Sequence, residues 1–131
     1  MRYMLLIYTS ENEGATEEDL QRTAAAHAEI WRDAERLGVF VAAAPLHSPR
    51  AATTVRQEGE RVVMLDGPFA ETKEQLAGYY ILDCEDLDEA IGWAARIPTQ
   101  CGGAKGCVEV RPIRTASESM SSAEEVTRTN G

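Results

Sequence analysis

The apolar positions of this chain fall into two rhythms that alternate along its length. Residues 3–8 are apolar on both alternating sets, Tyr3, Leu5, Ile7 and Met4, Leu6, Tyr8, which predicts a strand covered on both faces. Thr16-Glu17-Glu18-Asp19 is a capping-box pattern with acids at the positive end of a helix dipole. The helix it opens should run to Gly38, a natural residue just past a helix end. Its stripe is Leu20, Ala24, His27, Trp31 and Ala34, the spacing of one helical face. Residues 39–44 read as a second strand, ended by Pro45. Two short strands, 53–56 and 61–65, flank Glu58-Gly59 as a hairpin. The turn Asp66-Gly67-Pro68-Phe69 and a polar stretch to Gln75 follow.

Residues 77–82, with Tyr79, Tyr80 and Ile81, form another strand apolar on both faces. Asp86, with Glu89 three residues on, is the N-cap of a second helix. Leu87, Ala90, Ile91, Ala94 and Ile97 are its stripe and Pro98 stops it. A glycine-rich loop, 102–106, leads to an alternating strand at 108–112, whose Pro112 suits a sheet edge or strand end. Residues 115–131 are rich in Ser, Thr and Glu, the composition of a flexible tail after a single domain over 1–114.

The order is βαβ, a hairpin insert, then βαβ. Two split βαβ units predict an α+β, ferredoxin-like fold, β-α-β-(hairpin)-β-α-β, with both helices on one face of the sheet. The first and the 77–82 strands are apolar on the other face as well. A second copy packed sheet to sheet is the simplest cover, so the pattern predicts a homodimer.

Composition narrows the function classes. A chain of 131 residues fits one domain. Its net charge is −9, with Lys and Arg scattered singly, which argues against nucleic-acid binding. No run approaches the ~20 apolar residues of a membrane span. The N-terminal apolar run reaches Thr9-Ser10-Glu11 too soon for a signal peptide, so a cytoplasmic location is expected. Cys84, Cys101 and Cys107 lack zinc or redox spacing and read as free thiols of a reducing compartment. The 102–106 loop has no Walker pattern and opens no helix, and no Gly-x-Ser-x-Gly elbow is present. No cofactor is therefore expected. His27, His47 and Asp66 have no metal-ligand spacing motif.

Two residues stand out for chemistry. His27, centred on an apolar helix stripe, is either a packed core histidine or a general acid/base. Asp66 either caps its own turn or is presented rigidly by Gly67 and Pro68 as the partner that fixes the His27 tautomer. Phe69 should plug the core or line a pocket. Arg50 or Lys73 would clamp a substrate carboxylate. Tyr79 and Tyr80 point to opposite faces, so one at most, here assigned to Tyr80, reaches the substrate.

Several segments carry a family likeness. Met1-Arg2-Tyr3-Met4-Leu5-Leu6-Ile7-Tyr8, Asp66-Gly67-Pro68-Phe69-Ala70-Glu71-Thr72-Lys73-Glu74, Gly78-Tyr79-Tyr80, Asp86-Leu87-Asp88-Glu89-Ala90 and Val108-Glu109-Val110-Arg111-Pro112 resemble YCII-related proteins of the DGPF type. The resemblance implies a dimeric α+β barrel. Related proteins include an enzyme that removes chloride from a chlorinated hydroxymuconate, and a His–Asp pair is proposed as catalytic in part of the family. His27 is the residue that matches its histidine. The expectation is a cofactor-independent acid/base enzyme acting on a small anionic molecule by elimination or isomerisation. The alternative, suggested by gene neighbourhood with sigma factors in the family, is a non-catalytic dimeric ligand-binding or regulatory module.

Overall fold

A computed structural model of the protein describes residues 1–11 and 14–118. Its elements are β1 (Arg2–Thr9), α1 (Glu17–Arg36), β2 (Phe40–Pro45), β3 (Thr53–Glu58), β4 (Arg61–Asp66), β5 (Gln75–Asp83), α2 (Leu87–Ala94) and β6 (Gly106–Pro112), with short 3-10 turns at Pro49–Ala51 and Cys101–Gly103. The architecture is α+β. A four-stranded sheet has the order β2-β5-β1-β6, while β3 and β4 form a separate two-stranded sheet. Every pairing is antiparallel. This is the strand order that two split βαβ units produce.

The pleat explains the double apolar pattern of the central strands. Leu5 pairs opposite Tyr80 and Tyr3 opposite Leu82, and these four side chains are buried on the helix-bearing face. Both helices press onto that face, α1 through Ile30 and Ala34 and α2 through Ala90 and Trp93, in one continuous core. Met4, Leu6, Tyr8, Tyr79 and Ile81 belong to the opposite face and remain half-exposed.

The helix ends follow the sequence. Thr16 Oγ1 accepts from the Asp19 amide at 3.1 Å while Asp19 Oδ2 accepts from the Thr16 amide at 2.9 Å, a complete capping box. At the far end Gly38 has φ +73°. The Gly38 and Val39 amides donate to the Glu35 and Ala34 carbonyls, the paired bonds of a Schellman stop. Asp86 caps α2 through the Glu89 amide at 2.9 Å.

The helix stripes differ from expectation. In α1 the core-facing residues are Ile30 and Ala34, while Leu20 and Trp31 are 53% and 39% exposed. In α2, Trp93 is buried and Leu87 and Ile91 are half-exposed. Each helix is turned so that an i, i+4 or i, i+3 pair meets the sheet, and apolar residues beside that pair face elsewhere. Where a flexible tail is expected from residue 115, Thr115 and Glu118 exchange two hydrogen bonds of 3.1 and 2.8 Å. The rest of the expected tail, 119–131, lies outside the described residues.

Close approach makes Gly78 indispensable in the sheet. A Cβ on Gly78 would stand 2.8 Å from the Ala44 carbonyl oxygen of the neighbouring strand. Gly78→Ala should therefore lower stability by about 1–3 kcal/mol in urea unfolding. Gly92→Ala, where a Cβ meets nothing within 4 Å in the middle of α2, should raise it by about 0.5–1 kcal/mol.

Candidate functional site

Between α1 and the sheet lies a cavity of about 900 Å³. Its walls come from α1 (Leu20, Ala24, His27, Trp31), from the ends of β2 and β5 (Ala43, Ala77, Gly78, Tyr80), and from the loop bearing Pro98 and Cys101. The volume sits at the upper end of the range for small-molecule sites. Its origin is steric. Ala24 and Ala28 on the helix face Ala43, Ala44, Ala77 and Gly78 on the strands, and side chains this short cannot meet across the gap. The α1 stripe thus lines a hollow instead of packing. Trp31 closes one side, its ring 4.5 Å from that of Phe40 and its Nε1–H donating to Glu35 at 2.8 Å.

One polar contact crosses the cavity wall. His27 Nδ1 and the Tyr80 hydroxyl are 2.7 Å apart, with nearly parallel rings. Two neutral partners share this bond. Burial holds the His27 imidazole below its ordinary value, and burial raises the Tyr80 phenol. Either the hydroxyl donates to Nδ1 and Nε2 carries the proton, or Nδ1–H donates to the hydroxyl oxygen and Nε2 keeps its lone pair. The pair can therefore present a donor or an acceptor without any side chain moving.

Asp66 is not part of this arrangement. It ends β4 opposite Thr53, exposed and on the separate hairpin, and the cavity wall does not include it. The turn it enters closes the hairpin base. Gly67, at φ +96°, donates its amide to the Ala52 carbonyl at 2.7 Å, and its own carbonyl accepts from Thr54 Oγ1 at 2.8 Å. Phe69, expected in the core or a pocket, is 78% exposed. Among the described residues nothing covers it, just past the end of a projecting hairpin.

Lys73 is exposed in a loop held by Gln75, whose amide donates to Ala70 and Thr72. Arg50 is paired with Glu11 at 3.2 Å. It lines a second, shallower cavity with His47 that shares Thr9, Ser10 and Ala77 with the first. The two histidines thus belong to different cavities. Among the described residues no cluster of three or more His, Cys, Asp or Glu side chains could hold a metal, and no helix is long and apolar enough to cross a membrane. All three cysteines are free thiols, and burial and nearby carboxylates push the Cys84 thiol up to about 11.

Sequence reasoning missed two features of the site. Arg32 lies on the cavity rim, exposed and with no carboxylate partner among the described residues. Tyr80 is anticipated as a substrate contact but not as the partner of His27. The signal for the first was position, one helical turn past Ala28 and five residues after His27. For the cavity itself the signal was the clustering of alanines at 24–26 and 42–44.

Fold and site together define an antiparallel α+β protein with an apolar cavity under one helix and a His–Tyr pair in its wall. The chain belongs to the YCII-related family, whose model matches residues 1–117. It is also similar to an uncharacterised protein, R00369, of Rhizobium meliloti (strain 1021), at 36% identity over 118 residues. The match covers 86% of this chain and 92% of that relative.

The buried imidazole has a consequence for stability. The unfolded chain takes up a proton at His27 near the ordinary value of 6.5, while the folded chain resists it. The folded state is therefore favoured above that pH and loses this contribution as pH falls from 6.5 toward the lowered folded value. Urea midpoints measured from pH 7.5 downward should decline through this window. His27→Gln should flatten the decline, and the His27 ring proton resonance should titrate below the ordinary 6.5.

Proposed function

We propose that the cavity binds a small organic molecule with an apolar body, and that the His27–Tyr80 pair exchanges a proton with its polar group. The carrying observation is the 2.7 Å contact between His27 Nδ1 and the Tyr80 hydroxyl in the wall of a mostly apolar space. A neutral imidazole is a competent general base, and its basicity suits chemistry near neutral pH. Tyr80 then does what was expected of Asp66, holding the ring and selecting the tautomer. Arg32 takes the anchoring role expected of Arg50 or Lys73, because among the described residues its guanidinium has no carboxylate partner at the rim where a ligand carboxylate would emerge. The reading is a cofactor-independent proton transfer, as in an isomerisation or elimination, on an amphipathic acid. Three free thiols agree with a reducing compartment.

Trp31 in the wall offers a direct reporter. Titrating aryl and alkyl carboxylic acids should change its fluorescence, and their uncharged amides should bind more weakly. Tyr80→Phe should weaken binding of ligands with a polar head about 10-fold, the worth of one hydrogen bond. Arg32→Ala should weaken the acids alone. Ala43→Leu, which fills the hollow, should abolish binding. Binding that survives Ala43→Leu would place the ligand elsewhere and sink the proposal. Binding that is lost there, without turnover of any member of the panel, would favour a ligand-binding module.

A further inference from the structure

The second cavity adjoins the first but differs from it in chemistry. Thr9, Ser10 and Ala77 belong to the walls of both. The smaller space holds about 450 Å³, and most of its wall residues are polar or charged. Local backbone fixes how these groups are presented. Leu46 donates its amide to the Ala77 carbonyl at 2.8 Å, which holds the chain to β5 as it leaves β2. Ser48 caps the 3-10 turn that follows, its Oγ accepting from the Arg50 amide at 3.3 Å. That turn brings the Arg50 guanidinium to Glu11, just past the end of β1, at 3.2 Å. Ser10 Oγ accepts from the Lys105 amide at 2.9 Å. Each of the two serine hydroxyls thus keeps its hydrogen to donate elsewhere.

A carboxylate and a guanidinium therefore stand side by side, both exposed, with two hydroxyls and the His47 imidazole in the same wall. An exposed pair of this kind contributes little on its own, so a ligand can separate it easily. The charges select that ligand. A lone anion on Arg50 would leave Glu11 repelling it, and a lone cation on Glu11 would meet the same difficulty with Arg50. An ammonium and a carboxylate carried on one carbon satisfy both at once, and one ion pair becomes two. Such a head group has no net charge, so the field of a chain at −9 does not repel it.

We infer that the second cavity binds the α-ammonium and α-carboxylate of an amino acid whose apolar side chain passes Ala77 into the first cavity. This assignment rests on the proposed function, since the ligand's body occupies the same hollow, and it adds the far end of that ligand. Strand geometry sets the length of the side chain. Leu76 lies in the second cavity and Tyr80 in the first, four residues apart on β5, or about 13 Å. Only a long alkyl or aryl-alkyl side chain reaches from the head group to the His27–Tyr80 pair. Arg32 is left for a further polar group at the opposite end. Its neighbour Trp31 stands over Phe40, the first residue of β2, whereas the second cavity begins at Leu46, just past the last. Arg32 and the Glu11–Arg50 pair thus hold the two ends of the combined space.

Titration of the full chain with α-aminodecanoic acid and with decanoic acid, read by Trp31 fluorescence, tests the inference. The α-ammonium should tighten binding about 10-fold or more, the worth of a charge-assisted contact. N-acetylation and methyl esterification of the amino acid should each erase that gain. Arg50→Ala and Glu11→Gln, at exposed side chains outside the core, should erase it too while leaving the affinity for decanoic acid unchanged. In the unaltered chain the His47 ring resonances should move with the amino acid and stay in place with decanoic acid. An ammonium that weakens binding would put the carboxylate at Arg32 and overturn the inference, and so would a gain indifferent to Glu11→Gln. In either case the response to decanoic acid would leave the proposed function standing. A response to the amino acid alone would uphold the inference and remove Arg32 as the anchor. Silence of Trp31 toward both compounds would overturn the two proposals together.

Discussion

Pairing of β1 with β5 is the constraint on which the rest of the molecule depends. These two strands are the centre of the sheet; β2 and β6 each hydrogen-bond to only one of them. Their register decides which side chains face the helices. Side chains alternate with a period of two, so a slip by one residue would turn Leu5, Ile7 and Leu82 outward. It would carry Tyr80 with them, away from α1. The same register that buries the core therefore places a phenol beneath His27. Core and site are consequences of one alignment, and the aliphatic neighbours that enforce it contribute about 25 cal/mol for each Å² they bury.

The cavity follows from a second constraint, the shortness of the side chains on either side of it. Where α1 carries Ile30 and Ala34 it meets the sheet and the interior is dry and filled. One to three turns earlier it carries Ala24 and Ala28, opposite the alanines of β2 and Ala77 and Gly78 of β5. Backbones of the two strands approach closely there, as the Gly78 contact with Ala44 requires. Ile30 holds the helix off the sheet at the other end, so the small residues here leave space. A packed core would have used leucine at these positions, since an empty hollow forfeits dispersion contacts along its lining.

Strands, helix caps and strand order were legible because each rests on local rules: period two, period 3.6, a capping box and a glycine past a helix end. Element boundaries came within a few residues for the same reason. The stripe of α1 misled because hydrophobic periodicity reports which face avoids water, and a cavity wall avoids water as a core does. Leu20, His27 and Trp31 satisfy the pattern while lining the hollow. The proposed pairing of His27 with Asp66 rested on two residues far apart in sequence. Nothing local says that the Asp66 turn closes the base of a hairpin separate from the main sheet. Tyr80 and Arg32 were visible as residue types; their relation to His27 depends on β-strand register and helix phase in three dimensions.

The difference between a His–Tyr and a His–Asp pair bears directly on what the site can do. A carboxylate beside imidazole stabilises the imidazolium and raises its basicity, so the ring can hold a proton as a charged intermediate. A phenol provides no such charge. In the apolar wall here, protonating His27 would place an uncompensated cation in a poorly solvated space, which burial already disfavours. On the proposed function, a proton taken up by His27 would have to arrive together with a negative charge. The carbanion or enolate left by that transfer would supply it, imidazolium and anion forming as an ion pair with no net charge created in the cavity. On the same proposal, return of the proton to the same molecule restores two neutral side chains and ends the cycle.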